Sequence, residues 1–260
     1  MRVGLIGLGI MGKPMAENMV RAGVDLLVSD LNRNSVEVVA NAGAQPAVNK
    51  EIGQSCDVVM TMLPNSSHVK AVMLGDEGLV KYMKEGTVFI DMSSINPVAS
   101  KEIAAELEKK GISMLDAPVS GGEPKAIDGT LSFMVGGKQE VFNKYKPLLE
   151  TMGSSVVRCG EVGAGNTAKL ANQIIVACNI RAVAEAFTMA KMAGVDPALV
   201  YEAIKGGLAG SAVLDAKGTM MLDGNDYPGF QPKAGVVSYV HAHNLGIHID
   251  GAYNLSAMLI

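Results

Sequence analysis

A glycine-rich turn near the N-terminus has the spacing of a phosphate-binding loop. The apolar residues 3–6 run into Gly7-Leu8-Gly9-Ile10-Met11-Gly12, and a helical pattern follows at once. In such a loop the first glycine permits a tight turn, the second lets a pyrophosphate approach the backbone, and the third lets the helix pack against the strand. The helix N-terminus adds free N–H groups and a positive dipole end. The pattern predicts a dinucleotide-binding site, although a glycine turn by itself can be purely structural.

An acidic residue, Asp30, ends the second apolar stretch. A carboxylate at this position can accept hydrogen bonds from the adenosine ribose hydroxyls and would repel a 2′-phosphate, which favours NADH over NADPH. Arg33 lies three residues on and could meet a 2′-phosphate, so NADPH stays open as the alternative. A simple turn aspartate is the structural interpretation of the same residue.

A candidate proton donor lies in a long stretch without proline or glycine, residues 166–193. Lys169, Asn172 and Gln173 stand at positions i, i+3 and i+4, so they share one face of the predicted helix. An ammonium group can supply a proton and stabilise a developing oxyanion. The pattern alone also fits a solvated helix end, where the lysine would have no chemical role.

The elements that must position these residues alternate along the first part of the chain. Predicted strands are 3–6, 26–29, 58–63, 88–92, 114–117, 131–135 and 155–158, and predicted helices are 12–22, 34–42, 66–74, 97–110 and 138–151. This alternation predicts an α/β fold with a Rossmann-type, doubly wound parallel sheet. An all-helical second domain is expected after it, with boundaries at 1–162 and 163–260.

Polar and small residues follow several of these predicted strands. Pro64-Asn65, Ser93-Ser94 and the stretch from Pro118 to Gly122 each come directly after one. In open α/β sheets, ligands bind outside the carboxyl ends of the strands. We therefore expect these residues at the same edge as Gly9 and Asp30.

Composition narrows the class of protein. The chain has 260 residues, 48% of them hydrophobic, and a formal net charge of −4 without basic runs, which predicts neither a nucleic-acid partner nor a membrane surface. No signal-peptide pattern or uninterrupted membrane-length apolar stretch is apparent, so a cytoplasmic location is expected. Three cysteines and the histidines His241, His243 and His248 lack metal-ligand spacing, and no metal site is predicted.

Four motifs in order resemble the β-hydroxyacid dehydrogenase family. They are Leu-Ile-Gly-Leu-Gly-Ile-Met-Gly-Lys-Pro-Met (5–15), Asp-Met-Ser-Ser (91–94), Asp-Ala-Pro-Val-Ser-Gly-Gly (116–122) and Gly-Asn-Thr-Ala-Lys-Leu-Ala-Asn (165–172). Within that family, the stretches 61–66, 122–132 and 206–211 are most similar to the tartronate semialdehyde reductases. The resemblance covers residues 1 to about 230.

The resemblance implies a cofactor, a substrate and a role for each of several residues. NADH, with NADPH as the alternative, would place its pyrophosphate over Gly9–Gly12, and the resemblance assigns its nicotinamide end to Leu63, Pro64 and Ser94. A small hydroxy or oxo acid would bind through Ser120, Gly121, Gly122 and Asn172. Hydride transfer to tartronate semialdehyde, with a proton from Lys169, would give D-glycerate. A homo-oligomer, dimer or tetramer, is also implied.

The C-terminal stretch departs from the family pattern. After Pro228-Gly229-Phe230, relatives continue with a helix that carries a cofactor-binding lysine, whereas here only Lys233 lies nearby, without the surrounding pattern. The resemblance implies a chain some thirty residues longer, and we expect residues 231–260 to be an atypical tail. Two alternatives therefore remain: a 3-hydroxyisobutyrate dehydrogenase-like oxidoreductase, and a dinucleotide-binding protein inactivated by its altered tail.

Overall fold

The computed structural model describes residues 1–223. The chain divides into two compact units, Met1–Lys169 and a second unit that begins at Leu170. The domain boundary after residue 162 stays a prediction. The expectations for residues 231–260, including Lys233 and the three histidines, lie outside the described residues.

The first unit is built on a nine-stranded sheet with the order β3-β2-β1-β4-β5-β6-β8-β7, and β9 pairs with β8. The strands are β1 (Arg2–Ile6), β2 (Asp25–Ser29), β3 (Gln45–Pro46), β4 (Val58–Thr61), β5 (Val88–Asp91), β6 (Ser113–Asp116), β7 (Val119–Ser120), β8 (Leu131–Gly136) and β9 (Gly153–Gly160). The first six strands in this order are parallel, with register pairs such as Ile6↔Ser29 and Thr61↔Asp91. The Rossmann-type fold is thereby confirmed.

Helices cover both faces of this sheet. They are α1 (Gly12–Arg21), α2 (Arg33–Asn41), α3 (Asn49–Ser55), α4 (Ser66–Leu74), α5 (Pro97–Glu108), α6 (Gly122–Asp128) and α7 (Gln139–Leu149), with a 3₁₀ turn at Leu79–Lys81. Two separate apolar clusters result; Leu5 and Met60 belong to one, and Val59 and Phe89 to the other. Neighbouring residues of one strand point to opposite faces of the sheet and pack into different clusters. The strands β4 and β5 are therefore buried along their whole length, as parallel strands covered on both faces must be.

The far side of the sheet departs from the expected parallel arrangement. β8 pairs antiparallel with β6 and β7, and only β9 restores a parallel pair beside it. The chain reverses after β7 through Gly121 and Gly122, both with positive φ. An apolar stretch such as 131–135 predicts a strand but carries no information on its direction, so this part of the prediction was wrong.

The long helix predicted for residues 166–193 is α8 (Ala164–Met192). It is followed by α9 (Pro197–Ile204), a π-helical turn (Leu214–Gly218) and α10 (Thr219–Leu222), so the second unit is helical as far as it is described. The N-terminus of α9 is capped by Asp196, which accepts a hydrogen bond from the Ala198 N–H, and Pro197 takes the first helical position.

By length and composition alone, α8 could cross a membrane. Its length matches the helix predicted for residues 166–193, and polar residues such as Lys169 and Asn172 interrupt its apolar stretch. A single helix of this kind is weak evidence, because the core helix of a soluble protein passes the same test.

Candidate active site

The glycine loop lies where the strand order reverses. β1 stands between β2 and β4, so the chain leaves β1 to one side and later returns to the other, and this is where open α/β sheets bind ligands. Gly7 has φ +100, and a Cβ there would lie 2.3 Å from the Met62 carbonyl oxygen. A Cβ on Gly12 would lie 2.0 Å from the Gly7 carbonyl oxygen. Both positions therefore require glycine for close packing.

Gly9 differs from Gly7 and Gly12 because a Cβ at Gly9 would meet no other atom within 4 Å. Gly9 and Ile10 are exposed, and Met11 is half-buried. The helix α1 begins at Gly12 without a hydrogen bond from a capping side chain. The Lys13 N–H donates to the Gly9 carbonyl oxygen and Pro14 has no N–H, so within the first turn the Gly12 N–H and the positive end of the helix dipole are left to an anion. The open space and the uncapped helix fit the pyrophosphate of a dinucleotide.

Asp30 is tied to the same loop. Its Oδ2 accepts a hydrogen bond of 2.5 Å from the Leu8 N–H, and its Oδ1 accepts one of 2.7 Å from the Asn32 N–H. The Leu8 side chain is buried in the core. A carboxylate has about four acceptor sites, so capacity remains for ribose hydroxyls. Arg33 is exposed at the start of α2.

Replacing Asp30 with asparagine is expected to weaken NADH binding and to narrow the preference for NADH over NADPH. Asparagine keeps one acceptor oxygen, which can serve the Leu8 N–H but not the Asn32 N–H as well, and it removes the charge that would repel a 2′-phosphate. Titration of the wild type and the variant with both dinucleotides measures the effect, with Arg33→Ala as the companion variant. Tighter binding of NADPH than NADH by the wild type would contradict this interpretation.

The loops after β4 and β5 are joined at the same edge of the sheet. The Leu63 N–H donates to Ser93 Oγ at 2.9 Å, and the Asn96 N–H donates to Ser66 Oγ at 3.1 Å. Leu63 and Ser94 are half-buried, and Pro64 is exposed. The structure thus brings together the loops predicted for the nicotinamide end, while the role of each residue stays a prediction.

The predicted substrate loop follows β6. Ser120 closes the two-residue strand β7 and is half-buried, and Gly121 and Gly122 are exposed. Gly121 has φ +138, and a Cβ there would lie 2.7 Å from Lys125 Cβ. This backbone shape requires glycine and leaves the loop open to a ligand.

Lys169 lies in the second turn of α8 and is half-buried. Burial lowers the pKa of its ammonium group to about 8, because the charged form loses solvation. Within residues 1–223 it makes no ion pair with an acidic side chain. Asn172 and Gln173 lie further along the helix, where Asn172 Nδ2 donates to Gln173 Oε1 at 2.8 Å.

Two buried carboxylates, which the sequence analysis gave no role, face each other across β5 and β6. Asp91 and Asp116 are register partners with no exposed surface. Asp91 Oδ1 accepts from Thr61 Oγ1 at 2.8 Å and from the Ser93 N–H at 3.0 Å, whereas its Oδ2 has no hydrogen-bond partner. Burial raises the pKa of each carboxyl to about 6. A signal was present, since both aspartates open family motifs.

The raised pKa of Asp91 makes stability depend on pH. The protonated Asp91 carboxyl contributes fully to the free energy of unfolding below the unfolded-state pKa of about 4. This contribution is lost as the pH rises through the folded-state pKa of about 6. Asp91→Asn keeps the acceptor for Thr61 and removes the buried charge, so it should stabilise the fold by about 1–2 kcal/mol at pH 8. At pH 4 we expect little effect.

Denaturant unfolding at the two pH values measures this difference. Asp128→Asn is the matched control, because Asp128 is exposed at the end of α6. An Asp91→Asn variant with equal effects at both pH values would contradict the account.

Comparison with known proteins identifies the family. Residues 2–160 match the model of the NAD binding domain of 6-phosphogluconate dehydrogenase, and residues 163–236 match the NAD-binding of NADP-dependent 3-hydroxyisobutyrate dehydrogenase. The chain is 42% identical to 2-hydroxy-3-oxopropionate reductase of Escherichia coli K12, over 89% of this chain and 79% of that protein. The chain belongs to the β-hydroxyacid dehydrogenase family. As a member, it is an NAD(P)-dependent oxidoreductase that acts on CH–OH groups.

Two further relatives show how closely the branches of this family resemble one another. Mouse mitochondrial 3-hydroxyisobutyrate dehydrogenase is 43% identical over 76% of this chain, and the match spans 59% of that protein. A solved structure of Mycobacterium tuberculosis 3-hydroxyisobutyrate dehydrogenase with L-serine superimposes with a TM-score of 0.81 at 29% identity, over 96% of this chain and 95% of that one. The two sequence identities, 42% and 43%, do not separate the substrates.

Proposed function

We propose that this chain reduces tartronate semialdehyde (2-hydroxy-3-oxopropionate) to D-glycerate with NADH, and that Lys169 is the proton donor. The observation that carries the proposal is the half-buried ammonium of Lys169, which has no acidic partner within residues 1–223. A buried, unpaired charge destabilises a fold. A chemical role explains its presence, and its pKa of about 8 lets it release a proton near neutral pH.

The glycine loop would hold the cofactor. Gly9, Ile10, Met11 and Gly12 present their backbone to the pyrophosphate, while Gly7 and Leu8 shape the loop. Asp30 accepts hydrogen bonds from the adenosine ribose, and Leu63, Pro64 and Ser94 line the nicotinamide end. A nicotinamide dinucleotide bound here supplies the hydride.

The substrate carboxylate would bind to the Ser120 hydroxyl and to the backbone N–H groups of Gly121 and Gly122. Asn172, three residues beyond Lys169 on α8, orients the substrate. As the aldehyde carbon receives the hydride, its C=O double bond becomes a single bond and negative charge develops on oxygen. The Lys169 ammonium donates its proton to that oxygen and becomes a neutral amine, which takes a proton from water before the next turnover.

A second candidate substrate is the aldehyde that corresponds to 3-hydroxyisobutyrate, favoured by the 43% identity to the mouse dehydrogenase. This aldehyde carries a methyl group where tartronate semialdehyde carries a hydroxyl. Sites that hydrogen-bond a substrate hydroxyl strongly reject an analogue without it. We expect kcat/KM to favour the hydroxylated aldehyde by at least about tenfold, and a preference for the methylated one would assign the chain to the second activity.

Assembly as a homo-oligomer, dimer or tetramer, is also proposed. Large apolar side chains on α8 and α9 are exposed in the isolated chain, among them Ile175, Met192 and Leu199. Burial against a second copy would remove them from water. Light scattering measures the state directly, and a monomer would contradict the proposal. We also propose a cytoplasmic location, which suits an enzyme that acts on small metabolites.

A further inference from the structure

The start of α8 is fixed by a buried polar side chain, Asn166. This residue is 1% exposed and lies three positions before Lys169, within the same compact unit. Its Oδ1 accepts a hydrogen bond of 3.0 Å from the Ile95 N–H, and its Nδ2 donates one of 3.1 Å to Ser100 Oγ. The side chain therefore links α8 to the loop after β5 and to α5.

A carboxylate holds the backbone of the same turn. Asp116 Oδ2 accepts from the Asn166 N–H at 2.8 Å, and Oδ1 accepts from the Gly163 N–H at 2.7 Å. An anion at a helix N-terminus is stabilised by the helix dipole. A Cβ on Gly165 would lie 2.4 Å from the Asp116 carbonyl oxygen, so glycine lets the helix reach the strand end. These contacts leave the first turn of α8 little freedom to rotate or slide.

The loop held by Asn166 is the one assigned to the nicotinamide. Ile95, whose N–H bonds to Asn166, directly follows Ser94, and Ser93 in turn accepts from the Leu63 N–H. One side chain thus joins the loops around the proposed hydride donor to the helix that carries the proposed proton donor. We propose that Asn166 is a positioning residue that sets Lys169 relative to the nicotinamide loop. This inference rests on the proposed role of Lys169.

The effect on catalysis follows from geometry. A proton donor displaced by about 1 Å can lose about 10²-fold in rate. Asn166→Ala removes both side-chain hydrogen bonds, and Ser100→Ala removes only the one to Nδ2. We expect kcat to fall about 10–100-fold in the first variant and less in the second. NADH affinity should change much less than kcat in either variant, because the glycine loop proposed to bind the pyrophosphate is untouched.

A helix cap elsewhere provides the matched control. Asp196 accepts from the Ala198 N–H at 2.9 Å at the start of α9, and Asp196→Ala removes that cap. It tests whether loosening a helix start in general lowers the rate. We expect kcat of this variant to match the wild type.

The test combines kcat, NADH affinity and the labelling rate of Lys169 by an amine reagent as a function of pH. Labelling needs no turnover, and it should show the Lys169 pKa rising from about 8 towards the ordinary lysine value in Asn166→Ala. An unchanged kcat and labelling profile in both variants, or an equal loss in Asp196→Ala, would overturn the inference. If Asn166→Ala does not fold, Ser100→Ala decides by the same criteria. Normal turnover in Lys169→Met would instead overturn the proposed function.

Discussion

Replacing Lys169 with methionine is expected to lower kcat by about 10²–10⁴-fold, the usual contribution of a positioned acid or base. Methionine keeps an unbranched stem in the half-buried site and removes the ammonium group. Folding should not suffer, because the lowered pKa shows that the buried charge is unfavourable. NADH affinity should stay close to that of the wild type, since the glycine loop is separate from this residue. Steady-state kinetics and NADH titration measure the two quantities.

Lys191 provides the matched control on the same helix. It is exposed in the last turn of α8, and Lys191→Met should leave kcat within about twofold, since exposed side chains away from the chemistry contribute little. Near-normal turnover in Lys169→Met would remove this lysine from the mechanism. An equal loss in both variants would point to a general effect of charge on α8.

The second large effect is an opposite pH dependence of the two reaction directions. Reduction requires the Lys169 ammonium, so kcat/KM should fall about tenfold per pH unit above the pKa, which lies at about 8. Oxidation requires the neutral amine as a base, so its kcat/KM should rise up to the same pH and then level off. The shared midpoint follows because a single group acts as acid in one direction and base in the other.

Rate profiles for the two directions between pH 6 and 10 test this expectation. In Lys169→Arg, a guanidinium keeps the charge but does not release its proton in this range, so the residual rate should lose the midpoint near pH 8. A wild-type midpoint that persists in Lys169→Arg would assign the titration to another group.

The glycine loop and the first five long strands were predictable from the sequence because each depends on local chemistry. Gly7, Gly9 and Gly12 have fixed geometric tasks, and the cap at Asn96-Pro97 marks where α5 begins. Apolar stretches located β4 and β5 to within about two residues. The parallel pairing of these strands could be predicted because strands alternate with helices along the sequence.

The features that escaped prediction depend on contacts distant in sequence. Asn166 bonds to Ser100 across 66 positions, and Asp116 bonds to the backbone of Asn166 across 50. Contacts between residues this far apart in the chain leave no periodic pattern in the sequence. The antiparallel β8 and the short helices α3 and α6 were missed for a related reason, since tertiary packing determines strand direction and stabilises seven-residue helices.

The most direct test of the central claim is NADH oxidation by the purified chain in the presence of tartronate semialdehyde, with the product assayed as D-glycerate. The account predicts one D-glycerate formed for each NADH consumed, at a rate that Lys169→Met lowers by about 10²–10⁴-fold. NADH binding without any turnover of the semialdehyde would contradict it and would favour a dinucleotide-binding protein without this activity.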